Sequence, residues 1–209
     1  MYELLKKGEA DESRSFHHTM SASMDVVVPS NLERFVFEAT ERHAALTEEK
    51  VKKIKTGEIV VLTEEERKKL TADIYPGFAS EDDTVESMYE VFEEYGYAMD
   101  THTGVASAVC DKVLLKRDPK DETPIVVTAV TNPYKFPQDA LYALSGNDVK
   151  DSFKGIKRLN LLTAMKPPKF LLDMRYKAPR FKGVVDARKA LSEVVEFVHG
   201  KTVPEPTEK

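Results

Sequence analysis

Three short stretches of this chain carry side chains whose types and spacing suit chemistry. In the first, an apolar run from Met24 to Val28, with Asp25 inside it, leads through Pro29 to Ser30, Asn31 and Arg34. A polar turn that feeds a helix leaves backbone N–H groups free, and anions settle on such groups. Arg34 adds a planar, two-pronged donor for a carboxylate or phosphate. The second stretch is Asp100-Thr101-His102-Thr103-Gly104, and the third is Thr131-Asn132-Pro133-Tyr134-Lys135-Phe136. Each has a structural reading beside the chemical one. Ser30 with Glu33 has the spacing of a capping box. Arg34 stands one turn before Glu38 and can pair with it. Asp100 and His102 either orient groups of a site or stabilise the turn before a helix.

The elements that must position these residues follow from periodicity. Leu32, Phe35, Val36 and Ala39 recur at helical spacing, so a helix is expected over about 30–43. Tyr2 to Gly8 reads as the end of a helix closed by a glycine. Residues 44–82 form a helical excursion with charged outer faces: a Glu- and Lys-rich segment from Thr47 to Gly57, a short strand at Ile59–Leu62, and a helix opened by a Thr63/Glu66 capping box. An acidic cluster, Ser80 to Asp83, suits the start of the next helix. Tyr97–Met99 is a short strand candidate that delivers Asp100 to the following helix. Ile125 to Val130 is a continuous, β-branched run, the pattern of a strand buried on both faces of a parallel sheet. A helix follows over Pro137–Leu144, another over Ser152–Ala164, then a Pro167-Pro168 break. Asp186 opens a last helix with Ala190, Leu191, Val194, Val195 and Val198 inward. The architecture expected is α/β, a parallel sheet flanked by helices, with ligands at the carboxyl ends of the strands. Residues 200–209 read as a disordered tail.

Composition narrows the function classes. Charged residues make up 32% and hydrophobic ones 41% of 209, enough apolar mass for a core. Residues 1–100 hold 23 acidic against 12 basic side chains, while 150–189 hold 12 basic against three acidic. The basic residues lie scattered among Pro and aliphatic positions, which argues against a nucleic-acid partner. No run approaches a membrane span, and no signal segment opens the chain. The single cysteine, Cys110, is expected in the core; with no Cys/His cluster, no metal site is expected, and a reducing, cytoplasmic setting fits. His17 and His18 lack ligand partners at helical spacing.

Taken together, SMDVVVPSNLER (23–34), DTHTGVA (100–106) and TNPYKF (131–136) resemble threonine synthase, of the fold type II pyridoxal-phosphate (PLP) enzymes related to the tryptophan synthase β fold. Arg180-Phe181 and Val185-Asp186 before the closing helix extend the likeness, so that residues 1–199 are similar to the C-terminal part of the family's large domain. The resemblance implies conversion of O-phosphohomoserine and water to threonine and phosphate, with the cofactor as electron sink. It also implies that the Schiff-base lysine and the glycine-rich phosphate loop belong to an N-terminal half with no counterpart here. Alone, then, the chain is expected to be inactive, to contain no catalytic residue of its own, and to need that half as partner. The family's ring-nitrogen hydroxyl falls on Val130; Thr128 and Thr131 are the nearest hydroxyls and the candidate cofactor contacts. Ser30, Asn31, Arg34 and Lys135 are the candidate contacts to a phosphorylated amino acid, Lys135 being otherwise a solvated loop lysine. Thr101 stands where the family usually has proline. Two further expectations keep the fold and change the role: a truncated, non-catalytic binding homologue, or a phospho-lyase on another phosphorylated amino acid.

Overall fold

A computed structural model describes residues 1–11, 13, 15–179 and 183–200. Arg180, Phe181 and the 201–209 tail lie outside the described residues. The chain divides into two units, Met1–Pro167 and Pro168–Lys209, with the Pro167-Pro168 pair at the boundary.

The first unit begins with α1 (Tyr2–Lys7), closed by Gly8 at φ +84°, and β1 (Glu9–Ala10). A Cβ at Gly8 would sit 2.9 Å from the Leu62 carbonyl oxygen, so glycine is required there for space as well as for dihedral. α2 (Leu32–Ala39) packs against α3 (Ala44–Lys55) and α4 (Glu64–Thr71). β2 (Val60–Val61) pairs antiparallel with β1, Glu9 opposite Val61 and Ala10 opposite Val60. Leu4, Leu5, Leu32, Val36, Ile54 and Leu70 form one apolar core between these helices. Each contributes about 1.5–3 kcal/mol by leaving water.

The second layer is α5 (Glu81–Tyr95), α6 (Thr101–Leu114), α7 (Pro137–Ser145) and α8 (Ser152–Thr163). α5 packs on both α6 and α7, and α7 on α8. The α5–α6 contact is close because Gly104 faces Met88 and Thr84, both fully buried. Lys112 on α6 locks the pair, its ammonium 2.7 Å from Asp83. The capping box expected at Thr63/Glu66 is formed, and the acidic cluster at the head of α5 supplies another, Ser80/Asp83. His43, not anticipated as a cap, accepts from the Leu46 N–H and starts α3. The second unit holds α9 (Lys169–Met174) and α10 (Ala190–Val198), with Asp186 capping the turn before α10.

Five expectations are corrected. Among the described residues the only sheet is the two-stranded antiparallel β1–β2, so the parallel sheet is not present. Ile125–Val130 is not a strand: Val126 is 85% and Val130 67% exposed. A β-branched run becomes a strand only when neighbours take its N–H and C=O groups, and among the described residues none pairs with it. Tyr97–Met99 likewise stays irregular, although Ala98 and Met99 are buried. The Ser30/Glu33 capping box does not form. The helix starts at Leu32, its N-cap is Asn31 in a right-handed helical conformation, and no side chain caps it. Ser30 falls one position too early to reach the first-turn N–H groups. The inward face expected of α10 is exposed, Leu191 at 78% and Val198 at 74%.

Candidate functional site

Three turns meet at one place. The first is Thr19–Asp25, a loop tied shut by Asp25, whose carboxylate accepts from the Thr19 N–H at 2.9 Å and the Thr19 hydroxyl at 2.6 Å. Those bonds, with lesser help from the charges of His18 and His102, hold the Asp25 carboxyl below its ordinary range. The Met20 N–H donates to Glu81 at the head of α5 (2.9 Å), which fixes this loop to the second layer. Glu81 in turn, after burial, pushes the Asp139 carboxyl above its usual range from across the α5–α7 contact.

The second turn opens α6. Asp100 is 2% exposed and accepts from the backbone N–H groups of His102 (3.0 Å) and Thr103 (3.3 Å), and from the Thr103 hydroxyl. A carboxylate so supplied is a strong N-cap and fixes the imidazole of His102, whose Nδ1 stands 3.2 Å from Asp100 Oδ1. Ser21 of the first turn donates to the Thr101 carbonyl at 3.2 Å, so turns one and two are joined by a buried hydrogen bond.

The third turn is Asn132–Phe136. Asn132 caps it by accepting from the Tyr134 N–H at 2.9 Å, and Tyr134, 1% exposed, donates its hydroxyl to the Met165 carbonyl. That anchoring presents Lys135, whose ammonium donates to Ser23 Oγ of the first turn at 3.2 Å. The Phe136 ring lies 5.4 Å from the His102 ring, centroid to centroid, and the Lys135 ammonium 5.2 Å from the Phe136 centroid. Residues 112 apart in sequence are thus in contact, and the resulting cluster holds one ammonium, one imidazole, two serine hydroxyls and two carboxylates.

Of the six candidate site residues, Lys135 alone joins this cluster. Ser30, Asn31 and Arg34 stand together at the uncapped N-terminus of α2, exposed and without a side-chain hydrogen bond among the described residues. Arg34 does not pair with Glu38, which is taken by Arg42 at 3.1 Å. Thr128 is exposed and Thr131 half-buried, and neither hydroxyl is bonded among the described residues. Ser21, Ser23 and Phe136 were not singled out from the sequence. Ser23 and Phe136 stand inside the motifs 23–34 and 131–136, and Ser21 lies just before the first. No metal-holding group of acids, histidines and cysteine occurs among the described residues.

Thr128 and Thr131 also decide how this chain meets a pyridoxal phosphate. They lie on or beside an exposed, unpaired run, and two surface grooves, of about 450 Å³ between α2 and α3 and about 280 Å³ beside Leu141 and Arg158, are lined by other residues. The described residues therefore do not by themselves fit the cofactor: they offer hydroxyls but no enclosure.

No protein-family model matches the chain. In the solved structure of PLP-bound threonine synthase from Brucella melitensis, the likeness covers 94% of this chain and 37% of that one, with a TM-score of 0.71 at 24% identity. The fold is thus the one found in part of a PLP-dependent threonine synthase. Human threonine synthase-like 1 is 24% identical over 152 residues, which is 72% of this chain and 20% of the relative. Threonine synthase from Pseudomonas aeruginosa is 28% identical over 136 residues, 63% of this chain and 27% of the relative. The chain is related to the threonine synthase family. It spans between 20% and 27% of the length of these two curated relatives. Among the described residues no helix is long and apolar enough to cross a membrane.

Proposed function

We propose that this chain forms the substrate-side wall of a threonine-synthase-type lyase, which converts O-phosphohomoserine and water to threonine and phosphate. The observation that carries the reading is the meeting of the three motif turns through Ser21–Thr101, Ser23–Lys135 and His102–Phe136. Lys135 supplies a point charge to the substrate phosphate, and the exposed guanidinium of Arg34 supplies a second anion contact. By the family resemblance Thr131 is the hydroxyl next in sequence to the ring-nitrogen position at Val130. The lysine that anchors PLP and the loop that holds its phosphate come from a partner segment outside these residues, and the 125–130 run becomes a sheet strand when that segment supplies neighbours. In this reading the protein is cytoplasmic.

The test is a titration of the isolated chain with PLP. The cofactor's absorbance should stay unchanged, and borohydride should leave no cofactor on the protein. A stable, borohydride-fixed adduct at one lysine would overturn the reading.

Val130 favours a second reading. An aliphatic side chain stands where the family resemblance calls for a hydroxyl, which suits a homologue that binds but does not catalyse. Substituting Val130→Thr in a complete assembly separates the two: restored turnover supports the lyase, and unchanged inactivity with intact ligand binding supports the binding protein.

A further inference from the structure

The imidazole of His102 holds the one buried side-chain nitrogen or oxygen among the described residues that has no hydrogen-bond partner: its Nε2 is sealed from water and bonded to nothing. A buried polar atom in that state is uncommon and calls for a partner. The rest of the ring is fixed. The side chain is 6% exposed, Nδ1 faces the acceptor-only carboxylate of Asp100, and the Thr101 hydroxyl is 3.5 Å from the same nitrogen. The tautomer with its proton on Nδ1 is the one that suits the Asp100 carboxylate, and in that neutral ring Nε2 presents a lone pair. Phe136 lies against this ring, and the same Phe136 carries the Lys135 ammonium near its face, while that ammonium reaches Ser23. An orphaned nitrogen, a cation and a hydroxyl thus border one aromatic side chain.

We propose that His102 Nε2 is the inner contact of an oxyanion site beside the Phe136 ring, whose outer contacts are Lys135 Nζ and Ser23 Oγ. The proposal rests on reading the chain as a wall for a phosphorylated amino acid, and names which residues take an oxyanion of that substrate, phosphate or carboxylate. An oxyanion on Nε2 needs a proton at the contact, carried either by the imidazole or by the ligand's own P–OH. Asp100 balances the imidazolium, Lys135 balances the incoming charge, and Asp25, which feels the charge of His102, opposes it. The ligand's place is therefore on the Lys135 side of the ring.

The experiment is a long-range proton–nitrogen NMR titration of the histidine rings in the ¹⁵N-labelled wild-type chain, with inorganic phosphate in one arm and acetate in the other. The His102 signals are assigned by their loss in His102→Gln. Phosphate should move the His102 Nε2 resonance saturably toward the protonated end of its range, and Lys135→Met should weaken that response about tenfold, the loss of one charge-assisted contact. A response to acetate alone assigns the site to the carboxylate of the substrate. A His102 resonance that moves with neither anion, or that moves in step with His17, His18, His43 and His199 regardless of Lys135, overturns the proposal. The backbone amides of Ser30 and Asn31 report on the underlying reading separately. If they respond to phosphate while His102 is still, only the oxyanion site falls; if nothing responds, both fall.

Discussion

Replacing Gly104 by alanine adds one carbon, and the structure says where it goes. A Cβ there would sit 2.6 Å from Met88 Cγ, 2.8 Å from its sulfur and 3.1 Å from Thr84 Cγ2. Neither neighbour has room to retreat, since Met88 and Thr84 are both fully buried between α5 and α6. Overpacking of this kind costs about 1–3 kcal/mol. The alanine recovers about 1 kcal/mol of helix propensity, because Gly104 lies in the first turns of α6. The net expected is a loss of up to about 2 kcal/mol, with a fall in Tm of about 2–4 °C for each kcal/mol. Urea denaturation followed by circular dichroism reads it directly. The decisive arm is a double-mutant cycle: Met88→Ala alone opens a cavity, yet in the Gly104→Ala background it relieves the clash, so the two changes should couple by about 0.5–3 kcal/mol. A Gly104→Ala variant that is more stable than wild type, or strict additivity with Met88→Ala, would refute the argument that this glycine serves helix packing.

Asp100→Ala removes a buried N-cap and the partner of His102 Nδ1, and should cost about 2–4 kcal/mol in urea unfolding, with Asp100→Asn milder because it keeps an acceptor for the cap. Lys112, then the Ser80 cap, hold the Asp83 carboxyl well below its ordinary range. Its contribution is therefore present above the ordinary carboxylate pKa and lost as pH falls through the depressed one. Asp83→Asn should lower the urea midpoint at neutral pH and flatten its acid decline. Asp139 has the opposite sign: burial raises its pKa, so folding is weakened as pH rises from the ordinary value through the raised one, and Asp139→Asn should remove that decline. Val126→Lys places a charge on a residue 85% exposed, and should shift the stability of the isolated chain by less than about 0.5 kcal/mol. A larger loss would show that the run is already packed.

What the sequence disclosed depended on how local the cause is. Gly8, Thr63/Glu66 and Ser80 act within one turn of their own positions, and each ends or starts its helix as the spacing demands. Ser30 obeys the same spacing rule and fails, because the Pro29 turn delays the helix by one residue and Asn31 takes the cap position in a helical conformation. The 125–130 run shows the limit from the other side. Its residues state a preference for a buried strand, but a strand is made by its neighbours, and no pattern within the run supplies them. The site divides similarly. The three motifs were legible as turns that open helices, whereas the bonds that join them, Ser21 to Thr101 and Ser23 to Lys135, span 80 and 112 residues and have no local signature. His102 was visible as a histidine in a motif. That its Nε2 is left without a partner is a property of packing alone.

The central claim, that these residues form the substrate wall of a threonine-synthase-type lyase, is tested most directly by transplantation. A chimera of the Pseudomonas aeruginosa threonine synthase, its matching segment replaced by this chain's and its PLP binding verified by absorbance, is assayed for phosphate release from O-phosphohomoserine. The account predicts release that requires the transplanted Arg34 and Lys135 and falls at least about tenfold when either is replaced by a neutral residue. A chimera that binds PLP and releases no phosphate, or one that releases it equally well without both cations, would contradict it.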